Sequence, residues 1–163
     1  MEIRPETPAD SAAISAVIEA AFAMAEHSDG TEAAIVEGLR KANALSISLV
    51  AADGPAIIGH VALSPIRIDG ADSGWLGLGP LAVSPDRQGT GIGRALVCEA
   101  LERARSMGSA GCVVLGDPAY YRRFGFRADD RLRYPGPPPQ YFQALPFGDA
   151  MPLGTVAYHR AFG

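Results

Sequence analysis

The stretch best suited to chemistry is a glycine-rich loop that leads directly into an amphipathic segment. It reads SPDRQGTGIGR over residues 84–94, with glycines at alternate positions 89, 91 and 93. Glycine lets backbone N–H groups approach a ligand closely, and the positive end of a following helix dipole favours an anion. Arg87 and Arg94 flank the loop, so the pattern favours a bound pyrophosphate. The alternative interpretation is a turn used only for packing.

Two nucleotide-binding motifs can be tested against this loop and rejected. The dinucleotide fingerprint G-x-G-x-x-G would need glycine where Arg94 stands. The phosphate loop G-x-x-x-x-G-K-[ST] would need glycine and lysine at the positions of Arg94 and Ala95. The loop therefore indicates an anion site of a different class.

The segment before the loop carries a proline inside an apolar strand, LGPLAV at residues 78–83. Proline cannot donate a hydrogen bond to a neighbouring strand and is tolerated at edges or bulges. We therefore expect this strand to separate from a neighbour near Pro80, which frees the backbone of Leu81 and Val83 to bind a ligand. Coenzyme A suits such an opening, because its pantetheine amides can pair like a strand and its pyrophosphate follows.

The elements that must position this loop can be predicted from hydrophobic periodicity and turn residues. The sequence predicts a strand at 2–5, helices beginning after Thr7 and Thr31, strands at 46–52, 56–63 and 75–83, a helix ending near Met107, a strand at 110–115, a short helix at 120–124, and strands at 141–147 and 154–159. Strands that first pair through tight turns and then alternate with helices favour an α/β sandwich with a mixed sheet. We expect one domain over residues 1–163, without repeats.

Periodicity also predicts which side chains face the core. In the helix after the loop the buried positions are expected to be Leu96, Val97, Ala100, Leu101 and Ala104. In the shorter helix after Thr31 the inward residues are expected to be Ile35 and Leu39.

Composition excludes several classes of function. A net charge of −4 and a pI near 5.3 argue against a general nucleic-acid or anionic-membrane binder. Cys98 and Cys112 form no zinc-site spacing with the histidines, so we predict no metal and two buried thiols in a reducing compartment. The N-terminus has no signal-peptide pattern, and no segment approaches the ~20 apolar residues of a membrane span. These features predict a cytoplasmic protein.

The ordered motifs resemble those of a known family. Gln88-x-x-Gly91-x-Gly93 matches the [QR]-x-x-G-x-[GA] acetyl-CoA motif of the GNAT-type N-acetyltransferases, and the strand at 81–83 and the YRRFGF segment at 121–126 stand in that family's order. The resemblance implies a GNAT-like mixed, centrally splayed β-sheet flanked by helices. It also implies acetyl transfer from acetyl-CoA to a primary amine by direct attack on the thioester. The coenzyme-binding residues it indicates are Leu81, Ala82, Val83, Arg87, Gln88, Gly89, Thr90, Gly91, Ile92, Gly93, Arg94, Tyr120 and Phe124.

Tyr121 matches the family's tyrosine and is the candidate acid for the leaving sulfur, because a phenol has a pKa near 10. The alternative is that Tyr121 only packs in the core or against the coenzyme. Gly116-Asp117-Pro118 stands where many family members have an asparagine and a longer helix, so coenzyme contacts at 115–118 stay open. The GDPxYYxxFGF motif resembles that of a subgroup of predicted acetyltransferases whose substrates are poorly defined.

The general base is not indicated by one residue. Glu26, His27 and Asp29 lie where this fold usually contacts the acceptor, His60 lies in a predicted strand, and a water relay needs no named residue. No ionisable group occurs at 75–79, which leaves a non-catalytic acyl-CoA-binding or regulatory module as an alternative. An unrelated nucleotide-binding fold is a further alternative. A homodimer through the C-terminal strands is also compatible with the sequence.

Overall fold

A mixed β-sheet forms the centre of the molecule in the computed structural model, which describes residues 1–23, 25 and 28–163. In chain order the strands are β1 (Glu2–Pro5), β2 (Ile47–Asp53), β3 (Ala56–Ile68), β4 (Ala71–Val83), β5 (Gly111–Leu115), β6 (Leu132–Arg133), β7 (Phe142–Pro146) and β8 (Gly154–Ala157). The sheet order is β1-β2-β3-β4-β5-β7, and β8 pairs with β3 and β6. The β4–β5 and β6–β8 pairs are parallel, and the others are antiparallel.

Four helices accompany the sheet in the described residues: α1 (Ser11–Phe22), α2 (Glu32–Lys41), α3 (Ile92–Ser106) and α4 (Pro118–Tyr121). A 3-10 turn at Pro8–Asp10 leads into α1, and Thr7 and Asp10 form a capping box there. The Asp10 carboxylate accepts from the Thr7 N–H at 2.7 Å and from the Thr7 hydroxyl at 3.1 Å, and the helix begins where the sequence predicted.

The helices lie on opposite faces of the sheet. One face packs against α3 through Leu96, Val97, Ala100, Leu101 and Ala104, all buried as predicted. The other face packs against α1 and α2 around the middle of β3, and against the aromatic residues of the C-terminal segments further along. In α2 the prediction was wrong at one position, because Val36 is fully buried and Ile35 is partly exposed.

Several strand ends differ from the prediction. Strand β3 continues to Ile68 and β4 begins at Ala71, so the two form a long hairpin about Asp69-Gly70. The polar residues of this extension resemble a loop in sequence, yet Arg67 pairs with Asp72 across the hairpin. The short strand β6 was not predicted, because two residues carry no periodic signal.

The predicted separation at Pro80 is confirmed on one side of β4. Strands β4 and β5 are aligned from Trp75 opposite Gly111 to Leu78 opposite Val114, and no pairing continues beyond that point. On its other side β4 stays paired with β3 as far as Val83. A register shift accompanies Pro80, so the sheet opens between β4 and β5 while it remains closed between β3 and β4.

Candidate active site

The backbone of β4 beyond the opening presents polar groups away from β3. The Ser84 N–H donates to the Ile58 carbonyl of the neighbouring chain segment at 2.8 Å. Because the direction of backbone hydrogen bonding alternates along a strand, the polar groups of Leu81 and Val83 point to the opposite side. That side is the space from which β5 has diverged, as the sequence predicted.

The glycine loop meets this opening at the start of α3. Gly91 is the N-cap residue of α3 with φ of +91°, and Gly89 has φ of +78°. These left-handed conformations favour glycine. The Ala95 N–H donates to the Gly91 carbonyl at 3.1 Å as the first helical bond, so the N–H groups just before it face outward from the helix end. This arrangement can receive an anion.

A cavity of about 360 Å³ joins the β4 backbone to the helix start. Most of the residues that the sequence indicated for coenzyme binding surround it. Its lining consists of Leu81, Val83, Arg87, Gln88, Gly89, Gly91, Ile92, Gly93, Arg94, Tyr120 and Arg123.

Polar side chains hold the loop in its conformation. The Gln88 side-chain amide donates to the Val83 carbonyl at 3.1 Å, which ties the loop to the open edge of β4. The Arg87 guanidinium bonds the Asp53 carboxylate at 2.9 Å, and the Thr90 hydroxyl donates to the Arg87 carbonyl at 2.5 Å. These bonds fix the loop while the backbone N–H groups at the helix start remain directed outward.

Tyr120 and Arg123 complete the cavity from the side of α4. An ideal Cβ on Gly93 would lie 2.9 Å from the Tyr120 hydroxyl, so glycine is required there for close approach and not for its backbone angle. The Arg123 guanidinium lies 4.7 Å from the centre of the Tyr120 ring. Sequence reasoning missed Arg123, although its place beside the tyrosine pair is a signal that could have indicated it.

Tyr121 is not among the residues that line this cavity, although its ring contacts the lining residue Tyr120. Its ring packs against Gly116 at the end of β5, where an ideal Cβ would meet the ring at 2.5 Å, and against Phe126 at a centroid distance of 5.9 Å. Burial raises the pKa of Tyr121 above its usual value, so the phenol stays protonated at neutral pH. Tyr121 thus lies on the β5 side of the opening and Tyr120 on the anion side.

Three of the predicted coenzyme residues lie outside the cavity lining. The Ala82 side chain is buried on the opposite face of the sheet, in contact with the α1 cluster. Thr90 is exposed at the loop tip. Phe124 packs on Tyr120 at a centroid distance of 5.5 Å and lines a neighbouring cavity beside Cys98.

The segment at 115–118 is held by internal hydrogen bonds. The Gly116 N–H donates to the Tyr141 carbonyl at 2.9 Å, and the Gln143 side chain donates to the Gly116 carbonyl at 3.2 Å. The Asp117 carboxylate accepts from the Ala119 N–H at 2.9 Å and caps α4. This segment therefore positions Tyr120 and Tyr121 through α4.

Of the candidate bases between α1 and α2, Glu26 and His27 lie outside the described residues. Asp29 is exposed, and its carboxylate accepts from the Thr31 hydroxyl at 2.6 Å and from the Thr31 N–H at 3.1 Å. The hydrogen bond from the Thr31 hydroxyl and that from its N–H lower the pKa of Asp29. These bonds order the turn that precedes α2.

His60 lies in a buried polar chain. Its Nε2 is 2.8 Å from the Ser48 hydroxyl, and Ser48 also bonds the Glu6 carboxylate. Arg40 pairs with Glu6 at 2.8 Å, so the carboxylate is an acceptor only and Ser48 must donate to it. Ser48 then accepts from His60 Nε2–H, which leaves Nδ1 unprotonated. Burial lowers the pKa of His60 to about 4, in agreement with a neutral ring.

One prediction about cysteine is wrong. Cys112 is buried in β5, but Cys98 is exposed on α3 because it lies outside the helix face that packs on the sheet. Among the described residues, no group of three or more histidine, cysteine, aspartate or glutamate side chains could hold a metal ion.

Comparison with known proteins identifies the family. Residues 44–128, which include the opened strand, the glycine loop and the tyrosine pair, match the acetyltransferase (GNAT) domain. The chain belongs to the GNAT acetyltransferase family. Strands β2 to β5 and helix α3 lie wholly inside the matched region, and the GNAT fold predicted from the sequence is confirmed.

Similar GNAT proteins cover nearly the whole chain. The uncharacterised N-acetyltransferase YhbS of Escherichia coli K12 is 40% identical over 169 residues, covering 99% of this chain and 98% of that protein. A GNAT family acetyltransferase from Brucella melitensis in complex with acetyl-CoA has a TM-score of 0.90 and 50% identity, covering 99% of this chain and 97% of that chain. YhbS from Escherichia coli in complex with CoA has a TM-score of 0.90 and 38% identity, covering 99% of this chain and 91% of that chain.

The described part of the chain contains no helix long and apolar enough to cross a membrane.

Proposed function

We propose that this protein transfers the acetyl group of acetyl-CoA to a primary amine by direct attack on the thioester. The observation that carries the proposal is the opening between β4 and β5 directly beside the glycine loop and the start of α3. Solved relatives at 50% and 38% identity contain acetyl-CoA or CoA, which supports the same coenzyme here.

The coenzyme would be held mainly by backbone groups. Its pyrophosphate would accept hydrogen bonds from N–H groups at the start of α3, with positive charge from Arg94 and Arg123 beside it. Its pantetheine amides would pair with the outward-facing backbone of Leu81 and Val83, in place of a neighbouring strand. An N–H of the same stretch would then stabilise the negative charge that develops on the thioester oxygen.

The chemical step needs a neutral amine and a protonated leaving group. An amine with a pKa of about 10.4 is neutral in roughly one molecule in a few thousand at pH 7, so a proton must first be lost to water or a base. The nitrogen lone pair then forms the C–N bond, the C–S bond breaks, and sulfur leaves with its electron pair. Tyr121 would supply the proton to sulfur, and the surplus proton that nitrogen loses would return through water to the Tyr121 phenolate. The balance requires no other reactant.

The general base that deprotonates the amine is either a water relay or one of the candidates named above. The Asp29 carboxylate is bonded to Thr31 in the turn before α2, and it is exposed to solvent, which would not raise its pKa toward that of a base. His60 holds an unprotonated Nδ1, but its lowered pKa makes it a weak acceptor of an ammonium proton. A water relay through the opening is therefore the route that the described residues favour.

A reducing compartment agrees with this proposal. Cys98 and Cys112 are both free thiols, and an exposed thiol such as Cys98 persists where disulfides are not formed. We propose the cytoplasm as its location.

The test is a turnover assay with purified wild-type protein, acetyl-CoA and a panel of amines. A suitable panel has a peptide with a free alanine N-terminus, a lysine peptide, spermidine, kanamycin and glutamate. The proposal predicts free thiol release together with a product heavier by one acetyl group for at least one amine. Tight acetyl-CoA binding without turnover on this panel would instead favour the non-catalytic acyl-CoA-binding module, which the lack of an ionisable residue at 75–79 keeps open.

A further inference from the structure

Three buried polar atoms in the described residues have no hydrogen-bond partner: His60 Nδ1, the Ser64 hydroxyl and the Tyr158 hydroxyl. Buried polar groups without partners are uncommon and costly, so each calls for an explanation. Tyr158 is the most informative of the three. The residue as a whole is partly exposed, yet its hydroxyl is buried, so the polar end points into the protein.

Tyr158 and Ser64 are both neighbours of the same residue of β4, Gly77. Ser64 on β3 lies directly opposite Gly77. An ideal Cβ on Gly77 would lie 2.6 Å from a carbon of the Tyr158 ring, so that ring occupies the space above Gly77. Paired residues of neighbouring strands share a face, which places both hydroxyl-bearing side chains on the same side of the sheet. Gly77 immediately precedes Leu78, the last residue of β4 that pairs with β5.

This side of the sheet is opposite to α3. Ile66 and Trp75, which share the face with Ser64 and Gly77, belong to the aromatic cluster that includes Tyr158. Leu76 and Leu78 project to the other face and pack in the cluster that contains α3. A group held in the cavity at the start of α3 can reach the Tyr158 face only where β4 and β5 separate. The Tyr158 ring lies over Gly77, one residue before the last β4 residue that pairs with β5.

The Tyr158 ring is held in place by the protein itself. It packs edge-on against Tyr134 and tilted against Phe162, each at a centroid distance of 5.1 Å. The C-terminal turn Arg160–Phe162 rests on α2, where an ideal Cβ on Gly38 would lie 3.1 Å from Ala161. Glycine at 77 is also needed, because any side chain there would displace the ring. The unpaired hydroxyl is thus positioned before any ligand binds, as a preorganised contact requires.

We propose that the Tyr158 hydroxyl, assisted by Ser64, contacts the acceptor amine on the face of the sheet opposite α3, accepting a hydrogen bond from its N–H so that the nitrogen lone pair points at the thioester carbon. The inference rests on the proposed function and names the acceptor side of that site. Burial raises the pKa of Tyr158, so its hydroxyl stays uncharged. Two uncharged hydroxyl groups fit an amine that arrives as the free base, which is the form that attacks.

The test uses a stable coenzyme thioether that carries both partners of the reaction. The probe is CoA with an N-methylcarbamoylmethyl group on sulfur, whose amide nitrogen stands for the amine and whose carbonyl stands for the acetyl group. Calorimetry would compare this probe with CoA in wild type, Tyr158→Phe and Ser64→Ala. We expect Tyr158→Phe to lower the affinity for the probe roughly three- to tenfold, which corresponds to the loss of one hydrogen bond, and to leave the affinity for CoA unchanged. Ser64→Ala should act in the same direction.

Tyr134→Phe is the matched control, because Tyr134 packs against Tyr158 and should change neither affinity. Thermal unfolding supplies a second readout, since removing an unpaired buried hydroxyl should leave the melting temperature equal or higher. Equal probe affinity in wild type and Tyr158→Phe would overturn the proposal. A clear fall in melting temperature would also overturn it, because the hydroxyl would then have an internal partner such as a buried water. Failure of wild type to bind CoA would instead overturn the proposed function.

Discussion

At the scale of single residues, two adjacent tyrosines face different surroundings, and the proposed chemistry depends on both. The Tyr120 hydroxyl lies against Gly93 at the helix start, whereas the Tyr121 ring covers Gly116 at the end of β5. Their rings meet edge-on at a centroid distance of 5.0 Å. In the proposed complex, Tyr120 would face the phosphates of the coenzyme and Tyr121 its sulfur.

Tyr121→Phe is expected to lower turnover by about 100-fold, the usual worth of a general acid, with little change in acetyl-CoA affinity. The phenol is buried and stays protonated, so its loss removes a proton donor without removing a charge. The comparison is Tyr120→Phe, which should alter coenzyme affinity more than turnover. The measurement is steady-state kinetics with the best amine of the panel. Turnover within twofold of wild type in Tyr121→Phe would show that this tyrosine only packs.

Roles that depend on residues close together in the sequence could be predicted from it. Contacts between residues that only folding brings together could not. The alternating glycines between Gly89 and Gly93 carry their own backbone requirement, so spacing alone indicated an anion site. Tyr158 lies over Gly77 only because the fold brings the C-terminal segment against β4, with the following turn resting on α2. The burial of the Tyr158 hydroxyl and its lack of a hydrogen-bond partner are properties of the packed structure, and no local sequence pattern predicts them.

At the scale of elements, the site depends on how closely α4 approaches the start of α3. The Tyr120 ring is fixed by Tyr121, Phe124 and Arg123, so its hydroxyl cannot withdraw easily from Gly93. The opening of β4 was predictable, because Pro80 removes a donor from the strand. The depth of the β3–β4 hairpin was not predictable, because polar residues in an extended hairpin resemble a loop.

A double-mutant cycle tests this approach. Gly93→Ala should cost about 1 kcal/mol of folding stability, since the new Cβ would lie 2.9 Å from the Tyr120 hydroxyl. In a Tyr120→Phe background the same change should be neutral or stabilising by up to about 1 kcal/mol, because alanine is the better helix former. The next contact, Val83 at 3.6 Å, is an ordinary one. Urea unfolding of the four proteins measures the coupling, and equal effects of Gly93→Ala in both backgrounds would contradict the account.

At the scale of the whole molecule, the two faces of the sheet serve different purposes. The face covered by α3 is apolar and carries the cavity at the start of α3 at one end. The other face contains the polar atoms that lack partners, together with the buried His60–Ser48–Glu6 chain. A homodimer through the C-terminal strands stays a prediction.

The buried His60 should make the whole fold sensitive to mild acid. The pKa of His60 falls from 6.5 in the unfolded state to about 4 in the folded state. Between these two pH values the unfolded state binds more protons than the folded state, so the free energy of unfolding rises with pH. Lowering the pH from about 7 to about 5 should therefore cost about 2 kcal/mol of unfolding free energy. His60→Gln keeps a hydrogen-bonding amide but takes up no proton, so its stability should change much less over this range. Equal losses in the two proteins would contradict a buried neutral imidazole.

The central claim, that the opened strand and the glycine loop bind acetyl-CoA, is tested most directly by calorimetric titration of acetyl-CoA, with ATP and NAD as controls. Wild type should bind acetyl-CoA in the micromolar range and more tightly than either control. Gly91→Asp should abolish binding, because it strains a left-handed position and brings a carboxylate to the pyrophosphate. Gly136→Asp imposes similar strain in open space, outside the cavity lining, and should bind as wild type does. A wild-type protein that does not bind acetyl-CoA, or binds ATP more tightly, would contradict the account.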